Sequence, residues 1–173
     1  MPVKTEQYKN HTIEVDYDSE PINPREDDNL CVIHIAHRQY NFGDKNYAYY
    51  DDIKDVEQEA LRNKDIVLPL YMFDHSGIRI SLSPFICPWD SGQVGFVQIP
   101  CKKILESFGK KRLSKVLKQK ALDIARAEVE ELDSHISGEN YKYNISGENY
   151  LSSCSGFHSV EEALECAKGE IGD

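Results

Sequence analysis

The sequence predicts an α+β fold: a single domain whose mainly antiparallel sheet packs against three to four helices, one of them long and near 113–136. Three observations carry that expectation. Short apolar or alternating stretches outnumber helical ones, and several are joined by turn-length connections rather than by the helical crossovers of a parallel sheet. The segments 51–63 and 113–136 repeat their apolar residues with a helical period. At 173 residues with 40% apolar content, the chain is long enough to bury one core, so 1–173 is read as one domain.

Residues 11–17 alternate apolar and polar side chains, the pattern of a half-buried strand. Residues 18–29, with two prolines and several acids, read as a loop. Residues 30–36 are apolar and β-branched, an interior strand, and 41–44 carry turn chemistry in which Gly43 is expected at positive φ. The helix 51–63 takes Asp51 or Asp52 as N-cap and Ile53, Val56, Ala60 and Leu61 as its apolar stripe. The run 66–73 reads as a buried strand, and Asp74-His75-Ser76-Gly77 turns it into the alternating strand 78–83. A strand over 93–99 completes an expected three-stranded meander whose second connection carries Cys87 to Gly92.

Pro100 opens a short helix over 101–108. The long helix turns Val116, Leu117, Leu122, Ile124, Ala125, Val129, Leu132 and Ile136 inward and ends at Gly138. The hexapeptide Ile-Ser-Gly-Glu-Asn-Tyr occurs at 136–141 and again at 145–150, too few copies for a solenoid. Strands over 141–145 and 150–154 join through a turn at Gly147, and Ser159 with Glu162 forms a capping box for a helix over 160–171.

The net charge of −10 is unevenly spread. Residues 101–127 hold nine basic against two acidic side chains, and residues 128–173 two against eleven. An acidic surface repels nucleic acid and attracts proteins that bind it, but it also simply keeps a small protein soluble. No apolar run approaches the ~20 residues that span a bilayer, so no membrane partner is expected. The polar start Met-Pro-Val-Lys-Thr-Glu-Gln lacks the apolar core of a signal peptide and points to the cytoplasm. Cys31, Cys87, Cys101, Cys154 and Cys166 contain no CxxC pair and read as free thiols.

Candidate chemistry concentrates in 73–96, where Asp74, His75, Ser76, Cys87, the single Trp89, Asp90, Ser91 and Gln93 lie between apolar strands. Two neighbouring bends of one sheet are expected to bring Asp74–Gly77 and Cys87–Gln93 to a shared rim. Cys87 can act as a nucleophile with His75 as base and Asp74 or Asp90 as orienter, or it is a packed thiol beside a turn histidine. Trp89 with Asp90 and Gln93 is either a stacking platform or a plug at the sheet edge. Ser76 and Ser91 lack the GxSxG elbow and read as turn residues. His37, Asp44, Asp74, His75 and Asp90 offer nitrogen and oxygen donors, yet no spacing matches a ligand motif, so no metal or cofactor is expected. Lys110, Lys111, Arg112, Lys115, Lys118 and Lys120 can grip phosphates or form a solvated helix face; Glu128, Glu130, Glu131 and Asp133 further along would repel a duplex.

Several strings together resemble a known group: Pro24-Arg-Glu-Asp-Asp-Asn-Leu30, His37-Arg38-x-Tyr40-Asn41-x-Gly43-Asp44, Asp74-His75-Ser76-Gly77, and Cys87-Pro-Trp-Asp-Ser-Gly-Gln-Val-Gly-Phe96. They look like a widespread family of small proteins of bacteriophages, plasmids and other mobile elements. The likeness runs over about residues 12–158 and includes the later Ser153-Cys154-x-Gly156-Phe157. The family pattern has an aromatic residue where this chain has Ser155 and an acidic one where it has Ser152. The resemblance implies no activity; it implies a context in which accessory proteins inhibit host defence, anti-CRISPR and antirestriction proteins among them.

Three functions follow as expectations. The first is a non-enzymatic protein in the host cytoplasm that binds and inhibits a host-defence component, a CRISPR or restriction nuclease, through a face including His37, Arg38, Asp44, Asp74, His75, Ser76, Trp89, Asp90 and Gln93. In it Asp16, Asp18, Asp27, Asp28, Glu130, Glu131 and Asp133 would mimic phosphates. The second is a small Cys87/His75 enzyme acting on a nucleotide or acyl substrate. The third is a nucleic-acid-binding accessory protein using Lys110, Lys111, Arg112, Lys115 and Lys118.

Overall fold

The computed structural model describes residues 1–148 and 150–172, with Tyr150 by its backbone alone. In chain order its elements are strands β1 (Lys4–Tyr8), β2 (His11–Tyr17), β3 (Val32–Ala36) and β4 (Lys45–Tyr47), then helix α1 (Asp51–Arg62). Strands β5 (Ile66–Asp74), β6 (Ile78–Ser81) and β7 (Ser91–Ile99) lead into helices α2 (Cys101–Ser107) and α3 (Lys115–Ser137). Strands β8 (Tyr141–Gly147) and β9 (Tyr150–Phe157) and helix α4 (Val160–Ile171) complete the chain. The class is α+β, as the sequence indicates. The strands form two sheets, however, where one was expected, and the chain divides into two compact units: Met1–Asn23 with Ser137–Asp173, and Pro24–Ile136.

The first unit is an antiparallel sheet of order β1-β2-β8-β9 carrying α4. Alternation along β2 and β8 buries Ile13, Val15, Tyr143 and Ile145, which pack with Phe157, Ala163 and Ala167. The two alanines let α4 lie close to the strands. Strand β1, absent from the sequence reading, is a polar edge strand joined to β2 by Lys9 (φ 43) and Asn10 (φ 62), the paired left-handed residues of a tight hairpin. Ser159 Oγ accepts from the Glu162 N–H at 3.1 Å, and the Glu162 carboxylate accepts from His158 N–H at 3.0 Å, so the capping signal is met. The repeated hexapeptide serves two ends. Its first copy stops α3, with Gly138 at φ 77, whereas in the second Ile145, Ser146 and Gly147 belong to β8 and Asn149 lies outside the described residues.

The second unit is a five-stranded sheet of order β4-β3-β7-β5-β6, parallel only between β3 and β4. The expected meander is corrected here: β7 pairs with β5, not with β6, so β5 lies between them. A nine-residue connection between β6 and β7 is long enough to cross back over the β5–β6 hairpin. Ile33 and Ile35 on β3, Leu70 on β5 and Val97 and Ile99 on β7 share a core with Ala121, Ala125, Val129 and Leu132 of α3. Val116, placed inward by its spacing, is 68% exposed, because the first turn of α3 carries only Leu117 into the core.

Two glycines are set by close approach. Gly43 is not at positive φ; a Cβ there would sit 2.9 Å from the Ile33 carbonyl and from the Ile35 side chain. A Cβ on Gly95 would meet the His34 carbonyl at 1.9 Å, so β3 and β7 pair closely there only without a side chain. Helix α1 has Tyr50 at its N-cap with no side-chain cap bond. Asp51 and Asp52 instead occupy its first turn, where their charge suits the helix dipole and Asp52 accepts from Tyr49 N–H at 3.2 Å.

Two carboxylates of α3 fasten that helix to the sheet. Glu128 accepts from the Leu30, Cys31 and Arg25 donors at the start of β3, and Asp133 accepts from Ile80 N–H at 2.6 Å and from Arg79 at 2.9 Å on β6. Asp133 is 9% exposed and committed to the edge strand, so it is withdrawn from any phosphate-mimicking surface. Among the described residues, no helix is long and apolar enough to cross a membrane.

Candidate functional site

Strand β5 ends at Asp74, and the chain reverses through His75, Ser76 (φ 55) and Gly77 into β6. Because β7 pairs back onto β5, with Phe73 opposite Ser91 and Met72 opposite Gly92, the segment before Ser91 falls beside that reversal. The Asp74 N–H donates to the Asp90 carbonyl at 2.8 Å and carries the pairing one residue further. The two bends therefore meet.

Asp90 organises the junction. Its Oδ2 lies 3.4 Å from His75 Nδ1 and accepts from the Cys87 thiol at 3.6 Å. Ser91 Oγ donates to the Cys87 carbonyl at 2.5 Å, which closes the turn from the other side. Asp74 accepts from the Tyr40 hydroxyl at 3.0 Å, and that bond holds the phenol's pKa above its ordinary value. Tyr40 stacks on His37, with ring centroids 4.8 Å apart. Gln93 donates to the Tyr50 hydroxyl at 2.7 Å and to the Gly95 carbonyl at 3.2 Å, fastening the start of β7 to the approach to α1.

These groups surround an open cleft of about 380 Å³ lined by His37, Met72, Asp74, Trp89, Asp90 and Gln93. Beside it Phe73, Pro84, Phe85, Ile86 and Cys87 line an apolar hollow of about 400 Å³. Trp89 is 92% exposed and Ile86 fully so. The plug reading for Trp89 is thereby set aside: its indole stands in solvent, and the loop is held instead by Asp90 and Ser91.

His37, Asp74, His75, Ser76, Cys87, Trp89, Asp90 and Gln93 all gather at these bends and their cleft, Ser76 with its hydroxyl on the His75 carbonyl at 2.7 Å. Asp44 is elsewhere. Arg25 grips it through Nε at 3.0 Å and Nη2 at 2.7 Å, and its Oδ2 accepts from Ile33 N–H at 2.7 Å. Arg38 lies over the Tyr49 ring, 4.8 Å from its centroid. Among the described residues, no three of His, Cys, Asp and Glu are arranged to hold a metal ion.

The nucleophile arrangement is not assembled. The thiol hydrogen bond of Cys87 goes to Asp90, and no hydrogen bond joins the thiol to the His75 imidazole. The carboxylate stands between base and thiol, where a Cys-His-Asp relay needs the imidazole.

Sequence reasoning missed Ile86 and Phe85 at the hollow and Tyr50 at Gln93. The signal for Ile86 was available: Pro84 and Pro88 bracket Phe85-Ile86-Cys87, so this apolar run cannot take its place inside a sheet. It also missed a buried cluster. Arg25 bonds Glu128 as well as Asp44, and the Cys31 thiol donates to Glu128 at 2.6 Å. Burial by itself lowers the Arg25 pKa, but bonding to Asp44 and Glu128 more than offsets it and the guanidinium is held above its usual range. Burial first, then the charge of Glu128, pushes the Cys31 thiol up.

Lys110, Lys111, Arg112, Lys115, Lys118 and Lys120 are all exposed, and among the described residues none pairs with a carboxylate. Asp28, from the acidic group, is paired with Lys103 at 2.8 Å.

Fold and site together define an α+β protein whose second sheet displays a polar cleft beside an exposed aromatic-aliphatic loop. No protein-family model, curated protein or solved structure matches the chain.

Proposed function

We propose that this is a non-enzymatic accessory protein of a phage or other mobile element, which docks on a host-defence protein in the host cytoplasm and blocks it. A CRISPR or restriction nuclease is the kind of partner meant. One observation carries the docking part: Trp89 and Ile86 stand 92% and 103% exposed on a loop whose base is tied by four hydrogen-bonding groups. A loop already tied at its base loses less backbone entropy when its exposed apolar side chains are covered, and Trp is among the residue types enriched in interface anchors. The cleft and hollow flanking them give the partner shaped surfaces on both sides. The Asp90-bound thiol supports binding over catalysis. The defence context rests on the motif resemblance and the acidic charge.

Expression beside a panel of restriction and CRISPR systems, scored by phage plating and plasmid survival, tests the reading. Protection against at least one system is expected. No protection anywhere counts against it. The rival enzyme is tested by alkylation of Cys87 near neutral pH, where labelling at the rate of an unactivated thiol removes it.

A second reading keeps one specific support, the unpaired cations from Lys110 to Lys120. A salt-dependent mobility shift with single- or double-stranded DNA, reduced in Lys111→Ala and Lys115→Ala, would favour it.

A further inference from the structure

We infer that the cleft beside Trp89 receives a guanidinium, an arginine side chain presented by the polypeptide on which the rim docks. The inference rests on the docking reading and names the chemistry of its anchor. Asp74 and Asp90 are joined through their backbones at 2.8 Å, so two carboxylates leave neighbouring strand ends into one cleft of about 380 Å³. Neither is paired with a lysine or arginine of the chain among the described residues. Asp74 takes only the Tyr40 hydroxyl; Asp90 faces the Cys87 thiol and the His75 ring. Four arginines of the same unit are occupied elsewhere: Arg25 on Asp44 and Glu128, Arg79 on Asp133, Arg126 on Asp123, Arg38 over Tyr49.

The remaining walls suit the same guest. The indole of Trp89 offers a bare π face, and a cation lying on it gains an attraction that grows as water is excluded. Both amide-hydrogen bonds of Gln93 are spent on Tyr50 and Gly95, which leaves its carbonyl oxygen as a further acceptor. The two carboxylates and the Gln93 carbonyl accept hydrogen bonds, beside the Trp89 indole N–H and the His37 ring as donors, and the two carboxylates make this face of the cleft acidic. A phosphate or nucleotide is repelled by that arrangement. Between the two basic side chains, arginine fits better: its planar fork stacks flat on an indole while donating two bonds to a carboxylate, which an ammonium cannot do.

The chain has one tryptophan, so its fluorescence reports this cleft without background. The experiment titrates the whole protein with a blocked tetra-arginine peptide at fixed ionic strength, beside tetra-lysine and tetra-glutamate peptides. A saturable change in Trp89 emission is expected with arginine, at least about tenfold tighter than with lysine and absent with glutamate. Asp74→Asn, which keeps an acceptor for Tyr40, is expected to weaken it about tenfold. Asp90→Asn is the second variant, with unchanged circular dichroism and urea midpoint showing that each still folds. No saturable change, equal affinity for the lysine peptide, or affinity untouched by both substitutions overturns the proposal. Peptide binding that fails while Trp89→Ala abolishes defence inhibition sinks the arginine anchor alone. Peptide binding that succeeds while Trp89→Ala leaves inhibition intact supports the anchor chemistry and sinks the docking reading.

Discussion

Arg25 holds Asp44 and Glu128 at once, with its side chain 6% exposed. Removing it leaves two carboxylates with little water and no counter-charge, so Arg25→Ala should cost about 3 kcal/mol in urea unfolding. Substitutions at the rim should behave oppositely. Ile86→Ala and Trp89→Ala remove exposed atoms and should leave the urea midpoint within about 0.5 kcal/mol of the parent. His34 gives a pH signature. It is 4% exposed, stacked on Phe96 with centroids 4.4 Å apart and bonded to Gln98 at 2.9 Å. Burial lowers its pKa, partly offset by the Gln98 bond. The unfolded chain therefore binds this proton more readily than the folded one, and stability falls as pH drops from neutral through the ordinary imidazole value near 6.5. Urea midpoints between pH 7.5 and 5.5 should fall less steeply in His34→Gln.

At the scale of elements, apolar packing of α3 on β6 is reinforced by hydrogen bonds to one side chain. Asp133 serves both the Ile80 N–H at 2.6 Å and Arg79 at 2.9 Å. Asp133→Ala should cost about 2 kcal/mol and speed hydrogen exchange at Ile80 well before the global core opens. The sequence alone places Asp133 on a charged surface because acids on a long helix usually face water; only the strand packed against it reveals the backbone donor it serves. Among the described residues, strands β2, β3 and β5 to β9 and helices α1 to α4 were legible, from apolar periodicity or from turn signals between them. Strands β1 and β4 were not. Lys4–Tyr8 lies at a sheet edge with polar residues on both faces, and Lys45–Tyr47 is three residues long. The β7 pairing was misjudged for a different reason: connection length does not say which neighbour a returning strand will choose.

For the whole molecule, the division of the strands between two sheets escaped the sequence because both halves of the first unit's sheet lie far apart in the chain, at 1–23 and 137–173. Each unit closes its own core, so residues 24–136 expressed alone should give a dispersed amide spectrum; a collapsed one would show that its core is insufficient. The candidate site was legible in part. Asp74–Gly77 and Cys87–Gln93 were expected at one rim, but an uninterrupted meander sets its successive bends at opposite sheet ends; they meet because β7 pairs with β5. The Arg25 grip on Asp44 joins residues 19 apart in a way no local pattern encodes. The central claim is that this rim inhibits a defence protein by docking. Its most direct measurement is plating efficiency on a host carrying a susceptible defence system, with the parent protein against the folded Ile86→Ala/Trp89→Ala variant. The account predicts protection by the parent and its loss, by about a hundredfold or more in the affinity that underlies it, in the variant. Equal protection by both would contradict it.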